Sequence, residues 1–516
     1  MKNIKADFFY FLPIMILAFI VMLFYTRSSP LFFTNNWVDS NAYMTVGKGI
    51  VHGLTPYKDL FEQKGPLLYF LHALAYIIYP NTFFGIYIFE SIAMAINMII
   101  FYKIAKLFIN KHFAYLLSFF LPVILLNSTY FFSGDSAEEF AIPCVMFLIY
   151  SVLSKINNHE FSFTKSTLFI HGALLAFVFW TKYSLSGAWI GFFLFYGLYL
   201  LWLKQFRTLL KTIMYSFAGF FVITLPMLVY FGINHAICDL YEVYFMFNLT
   251  VYAEPTSVFV KIKNGIKFIK WLLNERFISF LFVTGSIYLF LRNRKKGNYI
   301  VSICFLVIFF STGFFQYMSG IWFLKYYFLI ILPFATIGLI CFAWALEKYF
   351  VFQIKHKQII YLIAFLGAII LPYYHNSNFL YSRLFPKNSD LIIESPLNTN
   401  QNSIKSAQTE FAEIINKIPN ATLLNYGYLD YGFFLAADII PKVRYFMKIN
   451  SYREGINDIQ LAHEEYIKEK KIDFIVAAEK YYKPTWYLYE NYRLVAVHLQ
   501  TRDRIIMKYL LFQKNE

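Results

Sequence analysis

Residues 35–70 read NNWVDSNAYMTVGKGIVHGLTPYKDLFEQKGPLLYF, a polar stretch within a strongly apolar chain. The apolar run FFYFLPIMILAFIVMLFY at residues 8–25 comes shortly before it. The stretch carries charged side chains of both signs, among them Asp39, Lys48, Asp59, Glu62 and Lys64. Ionisable groups are costly in a bilayer, so a cluster of them at its edge indicates a functional site.

The composition places the chain among polytopic α-helical membrane proteins. Of its 516 residues, 59% are hydrophobic and only 15% are charged, and the mean hydropathy is +0.51. A crossing helix needs roughly 20 apolar residues. Apolar runs of about this length predict about eleven spans, near residues 8–25, 83–102, 114–130, 139–154, 167–181, 184–203, 212–231, 277–291, 298–315, 324–346 and 359–374.

The net charge of +16 orients the chain in the membrane. The basic residues fall largely in short clusters between apolar runs, for example Lys103 with Lys106 and Lys111. Assigning these clusters to the cytoplasm satisfies the positive-inside rule. We therefore predict a bacterial plasma-membrane protein with a cytoplasmic N-terminus, and we expect no nucleic-acid partner.

Beyond residue 375 the composition becomes that of a soluble domain. Helical periodicity ends at Pro419, and a charged helix is predicted near residues 457–470. Strands are predicted at residues 422–426, 473–477, 494–498 and 504–509. We therefore predict two domains, a membrane domain at residues 1–375 and an extracytoplasmic α/β domain at residues 376–516. The latter has no GxGxxG or Walker sequence that would indicate nucleotide binding.

Asp39 is the strongest candidate for a catalytic group in the first outer loop, residues 26–82. It follows the first span by about fourteen residues and begins a predicted helix. One interpretation is a helix N-cap, a position that Asp favours. The other is a general base that takes a proton from an acceptor hydroxyl.

Lys64 lies just before a Gly-Pro turn that begins an amphipathic stretch. Its ammonium group could bind a lipid-linked phosphate, or the side chain could reach from apolar surface to the membrane interface. Asp59 and Glu62 could pair with neighbouring lysines and fix the loop, or they could ligate a divalent cation. Ion pairing is the favoured interpretation for both acids.

A second set of candidates follows another predicted span. Asp135, Glu138 and Glu139 lie in the sequence GDSAEE, where they could cap a membrane helix or bind an acceptor. Lys182 lies between two apolar runs and is a second candidate for phosphate binding. Tyr326 and Tyr327 could support the site or belong to an interfacial aromatic belt.

The order of these motifs resembles the GT-C glycosyltransferase superfamily. The acid soon after the first span, PYKDLFEQKGPLLYF, GDSAEEFAIP, WTKYS and KYYFLIILPF together carry the resemblance. The most similar branch contains the protein O-mannosyltransferases and the bacterial lipid A aminoarabinose transferase. The resemblance covers nearly all of residues 8–375.

The resemblance implies transfer of a sugar from a polyprenyl-phosphate carrier to a cell-envelope acceptor outside the membrane. Asp39 matches the family's first-loop acid, Lys64 matches the basic residue associated with the carrier phosphate, and Glu138 and Glu139 match a second acidic position. The family often has an Asp-Glu pair where this chain has Asp39-Ser40. No cofactor is therefore assigned, and a divalent cation is left open.

Two other classes of function compete with the transferase. A lipid-linked glycan flippase would place charged residues within several spans, and Glu90 is the clearest example here. An O-antigen-type polymerase or ligase would use similar donors, but it generally carries an arginine-rich outer loop late in the chain. The early position of the charged loop favours the transferase.

Overall fold

The structure is a computed structural model that describes residues 2–157, 160–252, 257–294, 299–318, 324–349, 357–385, 405–427, 429–449, 458–481, 485–502 and 505–516. Its contacts form two compact units. The first unit comprises Met1–Tyr25, Ile88–Met227 and Thr256–Asn376, and the second comprises Thr26–Tyr87, Leu228–Pro255 and Ser377–Glu516. The first outer loop thus packs in one unit with the C-terminal residues, while the division into domains 1–375 and 376–516 stays a prediction.

Helices account for most of the described chain up to residue 385. In chain order they are α1 (Lys2–Tyr25), α2 (Val38–Val51), α3 (Pro66–Ile78), α4 (Phe84–Ala105), α5 (Lys111–Ser118), α6 (Leu121–Leu125), α7 (Ser128–Phe131), α8 (Ala137–Leu153), α9 (Lys165–Thr181), α10 (Gly187–Trp202), α11 (Phe206–Ile233), α12 (Ile237–Leu240), α13 (Val258–Asn274), α14 (Arg276–Arg294), α15 (Ile300–Met318), α16 (Leu332–Tyr349) and α17 (Lys357–Ile370). A π-helix covers Tyr241–Tyr252, and 3₁₀ turns cover Ser154–Asn157, Tyr183–Ser186, Lys325–Ile331, Leu371–Tyr374 and Asn378–Tyr381.

Six helical segments of the described residues are long and apolar enough to cross a membrane. They are Phe84–Ala105, Ala137–Ile156, Tyr183–Trp202, Phe206–Ile233, Ile300–Met318 and Lys325–Lys348. The described residues also contain shorter apolar helices, including Tyr10–Tyr25 and Lys165–Thr181. The chain is therefore a helical protein with apolar spans, and the full number of eleven crossings stays a prediction.

The predicted span at residues 114–130 is not one unbroken α-helix. That stretch is divided into α5, α6 and α7. Pro122 lies in the first turn of α6, and a proline ring clashes with the carbonyl four residues earlier in a continuous helix. That carbonyl belongs to Ser118, the last residue of α5. The Asn127 side chain then caps α7 by accepting a hydrogen bond from the backbone N–H of Thr129 at 3.0 Å.

Helices α9 and α11 of the first unit approach each other through paired glycines. A Cβ atom at Gly172 would lie 1.8 Å from the carbonyl oxygen of Ser216, and one at Gly219 would lie 1.9 Å from that of Phe169. Small residues allow membrane helices to pack backbone against backbone in this way. Any larger side chain at either position must push the two helices apart.

The C-terminal part of the second unit is a four-stranded sheet with helices. Its elements are α18 (Ala407–Ile415), β1 (Leu423–Tyr426), α19 (Phe433–Ala436), α20 (Asp458–Lys468), β2 (Phe474–Ala478), α21 (Trp486–Asn491), β3 (Tyr492–Arg502) and β4 (Ile505–Lys514). The strand order is β1-β2-β4-β3, with β1 parallel to β2 and the other pairs antiparallel. All four strands lie at or near their predicted positions, and Leu424, Ile475 and Phe512 belong to the core beneath the sheet.

Helix α2 is buried on two sides, because it packs between the rest of the first loop and the C-terminal residues. Asn41, Thr45 and Lys48 follow a spacing of four and three residues, which places them on one helix face. Thr45 Oγ1 donates a hydrogen bond to Asp430 Oδ2 at 2.6 Å, and Lys48 Nζ lies 2.5 Å from Asp438 Oδ1. Through these contacts the C-terminal residues hold α2 in place.

Asp430 is the buried centre of this junction. Its Oδ1 accepts hydrogen bonds from the Asn425 side-chain amide at 3.1 Å and from the Gly432 backbone N–H at 2.7 Å. Burial raises the pKa of Asp430, and the hydrogen bonds from Thr45, Gly432 and Asn425 partly oppose this. The carboxyl group therefore binds a proton more readily in the folded protein than in the unfolded chain.

We predict that Gly172→Val destabilises the first unit by about 1–3 kcal/mol, the usual cost of overpacking. The thermal unfolding midpoint of the detergent-solubilised protein should fall. Gly197→Val is the matched control, because its Cβ meets only Leu209 at 3.8 Å while the helix-propensity change is the same. Equal midpoints for the two variants would contradict the close packing of α9 and α11.

We also predict that Asp430→Asn is more stable than the wild type near neutral pH. An asparagine can keep both hydrogen bonds at Oδ1 and donate to Thr45, but it carries no buried charge. Because the folded-state pKa of Asp430 is raised, its proton favours folding at low pH, and this contribution is lost as the pH rises through that pKa. The midpoint difference between variant and wild type should shrink as the pH falls from 7 to 4. A difference that does not change with pH would show that Asp430 does not titrate as described.

Candidate functional site

The Asp39 side chain faces Lys64, which lies 25 positions later in the chain. Asp39 Oδ2 is 3.7 Å from Lys64 Nζ, and the two side chains are 16% and 12% exposed. The hydroxyl of Tyr43, one turn further along α2, donates to the same carboxylate oxygen at 3.4 Å. A carboxylate, an ammonium group and a phenol hydroxyl thus lie close together at a partly solvated point in the second unit.

The interpretation of Asp39 as an N-cap is wrong. Helix α2 begins at Val38 and its N-cap residue is Trp37, so Asp39 lies inside the first turn. Asn35 organises the entry to the helix by accepting a hydrogen bond from the Trp37 backbone N–H at 2.9 Å. The Asp39 carboxylate is therefore not used for capping.

The backbone of Lys64 is held from both sides. Its N–H donates to Glu62 Oε2 at 2.8 Å, and its carbonyl accepts from the Tyr57 hydroxyl at 2.7 Å. Tyr57 is fully buried and has a φ of 71°, a left-handed conformation that is uncommon for a bulky residue. The loop thus adopts a strained turn that places the lysine ahead of α3.

Glu62 and Lys64 have different electrostatic surroundings. Burial raises the pKa of Glu62, although the positive charge of Lys64 opposes the change. Glu62 also accepts a hydrogen bond from the Tyr69 hydroxyl. Burial alone would lower the pKa of Lys64, but Tyr43, Asp39 and Glu62 together raise it well above its usual value. Lys64 is therefore a permanent cation across the physiological pH range.

Asp59 closes a turn at the start of this loop. Its carboxylate accepts a hydrogen bond from the Thr55 backbone N–H at 2.7 Å, and its own N–H donates to the Thr55 carbonyl at 2.9 Å. The neighbouring Lys58 donates to the Asn234 carbonyl at 2.9 Å. Asp59 and Lys58 thus both form hydrogen bonds with backbone groups, whereas the sequence favours ion pairing for Asp59.

The second set of acids forms an acidic cluster in the first unit, made of Glu90, Asp135, Glu138 and Glu139. Glu90 Oε1 and Glu139 Oε2 both accept from the Asp135 backbone N–H, at 2.7 and 2.9 Å. Asp135 has a φ of 61°, which directs its N–H toward both acids. Ser136 caps α8 through the Glu139 backbone N–H at 3.1 Å.

Glu138 and Lys182 form the second ion pair of the predicted site residues. Lys182 Nζ lies 2.5 Å from Glu138 Oε1, which also accepts from the Gln316 side chain at 2.8 Å. The ammonium group lies 3.8 Å from the centre of the Tyr327 ring and 5.8 Å from that of Tyr326. The structure thus brings Glu138, Lys182 and the two tyrosines together.

The described residues do not offer a metal site. No group of three or more His, Cys, Asp or Glu side chains among them is arranged to hold a metal ion. Glu90 and Glu139 both accept a hydrogen bond from the Asp135 backbone N–H. The divalent cation left open by the sequence therefore finds no ligand set in the described part of the chain.

Sequence reasoning did not identify the tyrosines that surround Asp39 and Lys64. Tyr43 lies four residues after Asp39, so helical spacing could have placed it beside the carboxylate. Tyr57 and Tyr69 gave no such signal, because their contacts depend on the path of the loop. Asp430 was also missed, since it lies almost 400 positions from the helix that it holds.

Comparison with known proteins adds a family match and a shared fold. The family model for dolichyl-phosphate-mannose-protein mannosyltransferase matches residues 63–230. ArnT from Cupriavidus metallidurans bound to undecaprenyl phosphate has a similar structure, with a TM-score of 0.59, 9% sequence identity and coverage of 98% of each chain. No curated protein sequence matches this chain.

Two further structures share the fold. The apo state of ArnT from Cupriavidus metallidurans has a TM-score of 0.56 at 9% identity and covers 99% of this chain and 98% of that chain. The apo oligosaccharyltransferase of Archaeoglobus fulgidus has a TM-score of 0.51 at 12% identity and covers 92% of this chain and 70% of that chain. The resemblance to the GT-C glycosyltransferases that the sequence motifs predict is thereby confirmed, and the chain has their fold.

Proposed function

We propose that this chain is an integral-membrane glycosyltransferase. It moves a sugar from a polyprenyl-phosphate carrier to a hydroxyl group of a cell-envelope acceptor, which is a glycan, a lipid or a protein. The contact between Asp39 and Lys64 at 3.7 Å carries the proposal, because it sets a proton acceptor beside a phosphate-binding cation. The undecaprenyl phosphate bound to ArnT, a protein of the same fold, supports this class of donor.

The reaction needs a base and a cation. Asp39 removes the proton from the acceptor hydroxyl, and the oxygen attacks C1 of the donor sugar. The bond between C1 and the phosphate oxygen breaks, and polyprenyl phosphate leaves with the electron pair. The Lys64 ammonium compensates the charge that develops on the phosphate. A single displacement of this kind inverts the anomeric centre, and it requires no nucleotide outside the cell.

The Asp39–Lys64 contact also suggests an order of events. Charge-assisted hydrogen bonds are usually about 2.7–2.9 Å long, so a separation of 3.7 Å marks a loose pair. A donor phosphate that binds Lys64 replaces Asp39 as its ionic partner. The carboxylate then faces the acceptor hydroxyl without its ionic partner, so donor binding precedes deprotonation by Asp39.

Lys182 has a stronger partner than Lys64. Its ammonium group lies 2.5 Å from Glu138, so phosphate binding there would have to break a close and largely buried ion pair. We therefore assign the donor phosphate to Lys64 and give Lys182 the task of holding Glu138. The other acids of the cluster, Asp135 and Glu139, stay candidates for orienting the acceptor, as do Tyr326 and Tyr327.

The proposed orientation follows the charge distribution. The N-terminus is cytoplasmic, the C-terminal residues are extracytoplasmic, and transfer takes place at the outer face of the plasma membrane. The transporter alternative gains no support from Glu90, since that buried acid is engaged by the Asp135 backbone.

We expect Asp39→Asn to reduce transfer by at least about 100-fold, the lower end of what a general base contributes. The substitution keeps the shape of the side chain, so membrane insertion and the unfolding midpoint should stay unchanged. Mass spectrometry of cell-surface glycans compares a deletion strain that expresses the variant with one that expresses the wild type. Wild-type glycans in the variant strain would remove Asp39 from the mechanism.

Lys64→Gln should weaken binding of undecaprenyl phosphate at least about tenfold, because a hydrogen bond to a charged group is worth about 1.5–3 kcal/mol and a tenfold change corresponds to about 1.4 kcal/mol. Native mass spectrometry of the detergent-solubilised protein measures the bound lipid. Lys58→Gln is the matched control from the same loop, since Lys58 is exposed and donates to a backbone carbonyl. Equal losses in both variants would indicate that only the general positive charge of the loop attracts the lipid.

A further inference from the structure

A cavity of about 780 Å³ lies within the second unit. Its wall includes residues from the start of the first loop, from the turn after α3, and from α18 and α19. The volume falls in the range of about 300–1,000 Å³ that is typical of ligand sites. The residues that line it include neither Asp39 nor Lys64, so the cavity is separate from the reacting groups.

Helix α2 separates the cavity from the candidate base. Asn41 lines the cavity and lies two residues after Asp39, which turns its side chain by about 200° around the helix axis. The Asn41 amide is fixed, because it donates to the carbonyls of Asn35 and Trp37 at 2.9 and 3.0 Å. The cavity and the Asp39–Lys64 contact therefore lie on opposite faces of one rigid helix.

Two arginines give the cavity a positive wall. Arg27 is buried, donates to Asn378 Oδ1 at 3.2 Å, and lies over the rings of Phe32 and Tyr381 at 5.2 and 4.9 Å. Arg383 is exposed and lies 4.3 Å from the centre of the Phe33 ring. A guanidinium held over aromatic rings is preorganised for planar contact with a carboxylate or a phosphate.

The remaining lining suits a sugar. Glu413 is the acid among the lining residues, and it already has Lys405 as a partner at 2.6 Å, so the arginines determine the sign of the charge. Phe33 and Tyr79 expose more than half of their surface and offer flat apolar faces at the cavity wall. The Asn41 side-chain oxygen can accept a hydrogen bond from a sugar hydroxyl, and the Thr82 hydroxyl can both donate and accept.

We propose that this cavity binds an acidic sugar, a sugar unit that bears a phosphate or a carboxylate, as a remote part of the acceptor. The acceptor assignment rests on the proposed function, whereas the binding itself does not. The Arg383–Phe33 stack contacts the acidic group, and the fixed amides and aromatic faces contact the ring. Such a site selects the acceptor on one side of α2 while the reacting hydroxyl is deprotonated on the other.

Saturation-transfer NMR on the full-length, detergent-solubilised chain tests the site with four probes: glucose, glucose 6-phosphate, glucuronic acid and inorganic phosphate. At least one of the two acidic sugars should bind about tenfold more tightly than both glucose and inorganic phosphate. The acidic sugar that binds more tightly shows whether the cavity prefers a phosphate or a carboxylate. Arg383→Gln should abolish this preference. Arg493 is also exposed and donates to Gln513 on the sheet, so the control variant Arg493→Gln should retain the preference.

Equal binding of glucose and both acidic sugars would overturn the proposal, and so would inorganic phosphate binding as tightly as glucose 6-phosphate. Retention of the preference by Arg383→Gln would overturn it as well. The Asp39→Asn variant separates the two proposals, because it should bind the acidic sugar normally. If that variant still transfers sugar while the cavity binds as expected, only the proposed mechanism fails. If it is inactive and no acidic sugar is preferred, only the cavity proposal fails.

Discussion

The ion pair between Asp39 and Lys64 is the interaction on which the rest of the proposed site depends. Each charge is costly near a membrane, and each reduces that cost for the other while both stay partly solvated. The surrounding groups serve to hold this pair: Tyr43 contacts the carboxylate, while Glu62 and Tyr57 fix the backbone of the lysine. In the proposed reaction, a donor phosphate replaces the carboxylate as the partner of Lys64.

Helix α2 extends this arrangement to the C-terminal residues of the same unit. One face carries Asp39 and Tyr43, and the opposite face carries Asn41, Thr45 and Lys48. Asp430 and Asp438 bind the second face, so the position of the candidate base depends on residues on either side of α19, almost 400 positions later in the chain. The C-terminal residues of the second unit thus support the helix that carries Asp39.

Much of the fold could be predicted from local patterns. Apolar runs located the helices α4, α8 and α11, and the four strands lie at or near their predicted positions. At residues 114–130 the apolar pattern gave no sign that the helix is divided, because the division follows from the backbone chemistry of Pro122. For the site, residue type and position identified Asp39 and Lys64 but not their contact. That contact depends on the left-handed turn at Tyr57 and on the Asp430 junction, and neither has a local sequence signal.

The most direct measurement for this account is the position of the phosphate in a cryo-electron microscopy structure of the full-length chain with undecaprenyl phosphate. The account predicts phosphate oxygens within hydrogen-bond distance of Lys64 Nζ, about 2.7–3.2 Å, and an Asp39–Lys64 separation longer than 3.7 Å. A phosphate bound at Lys182, with the contact between Asp39 and Lys64 unchanged, would contradict it.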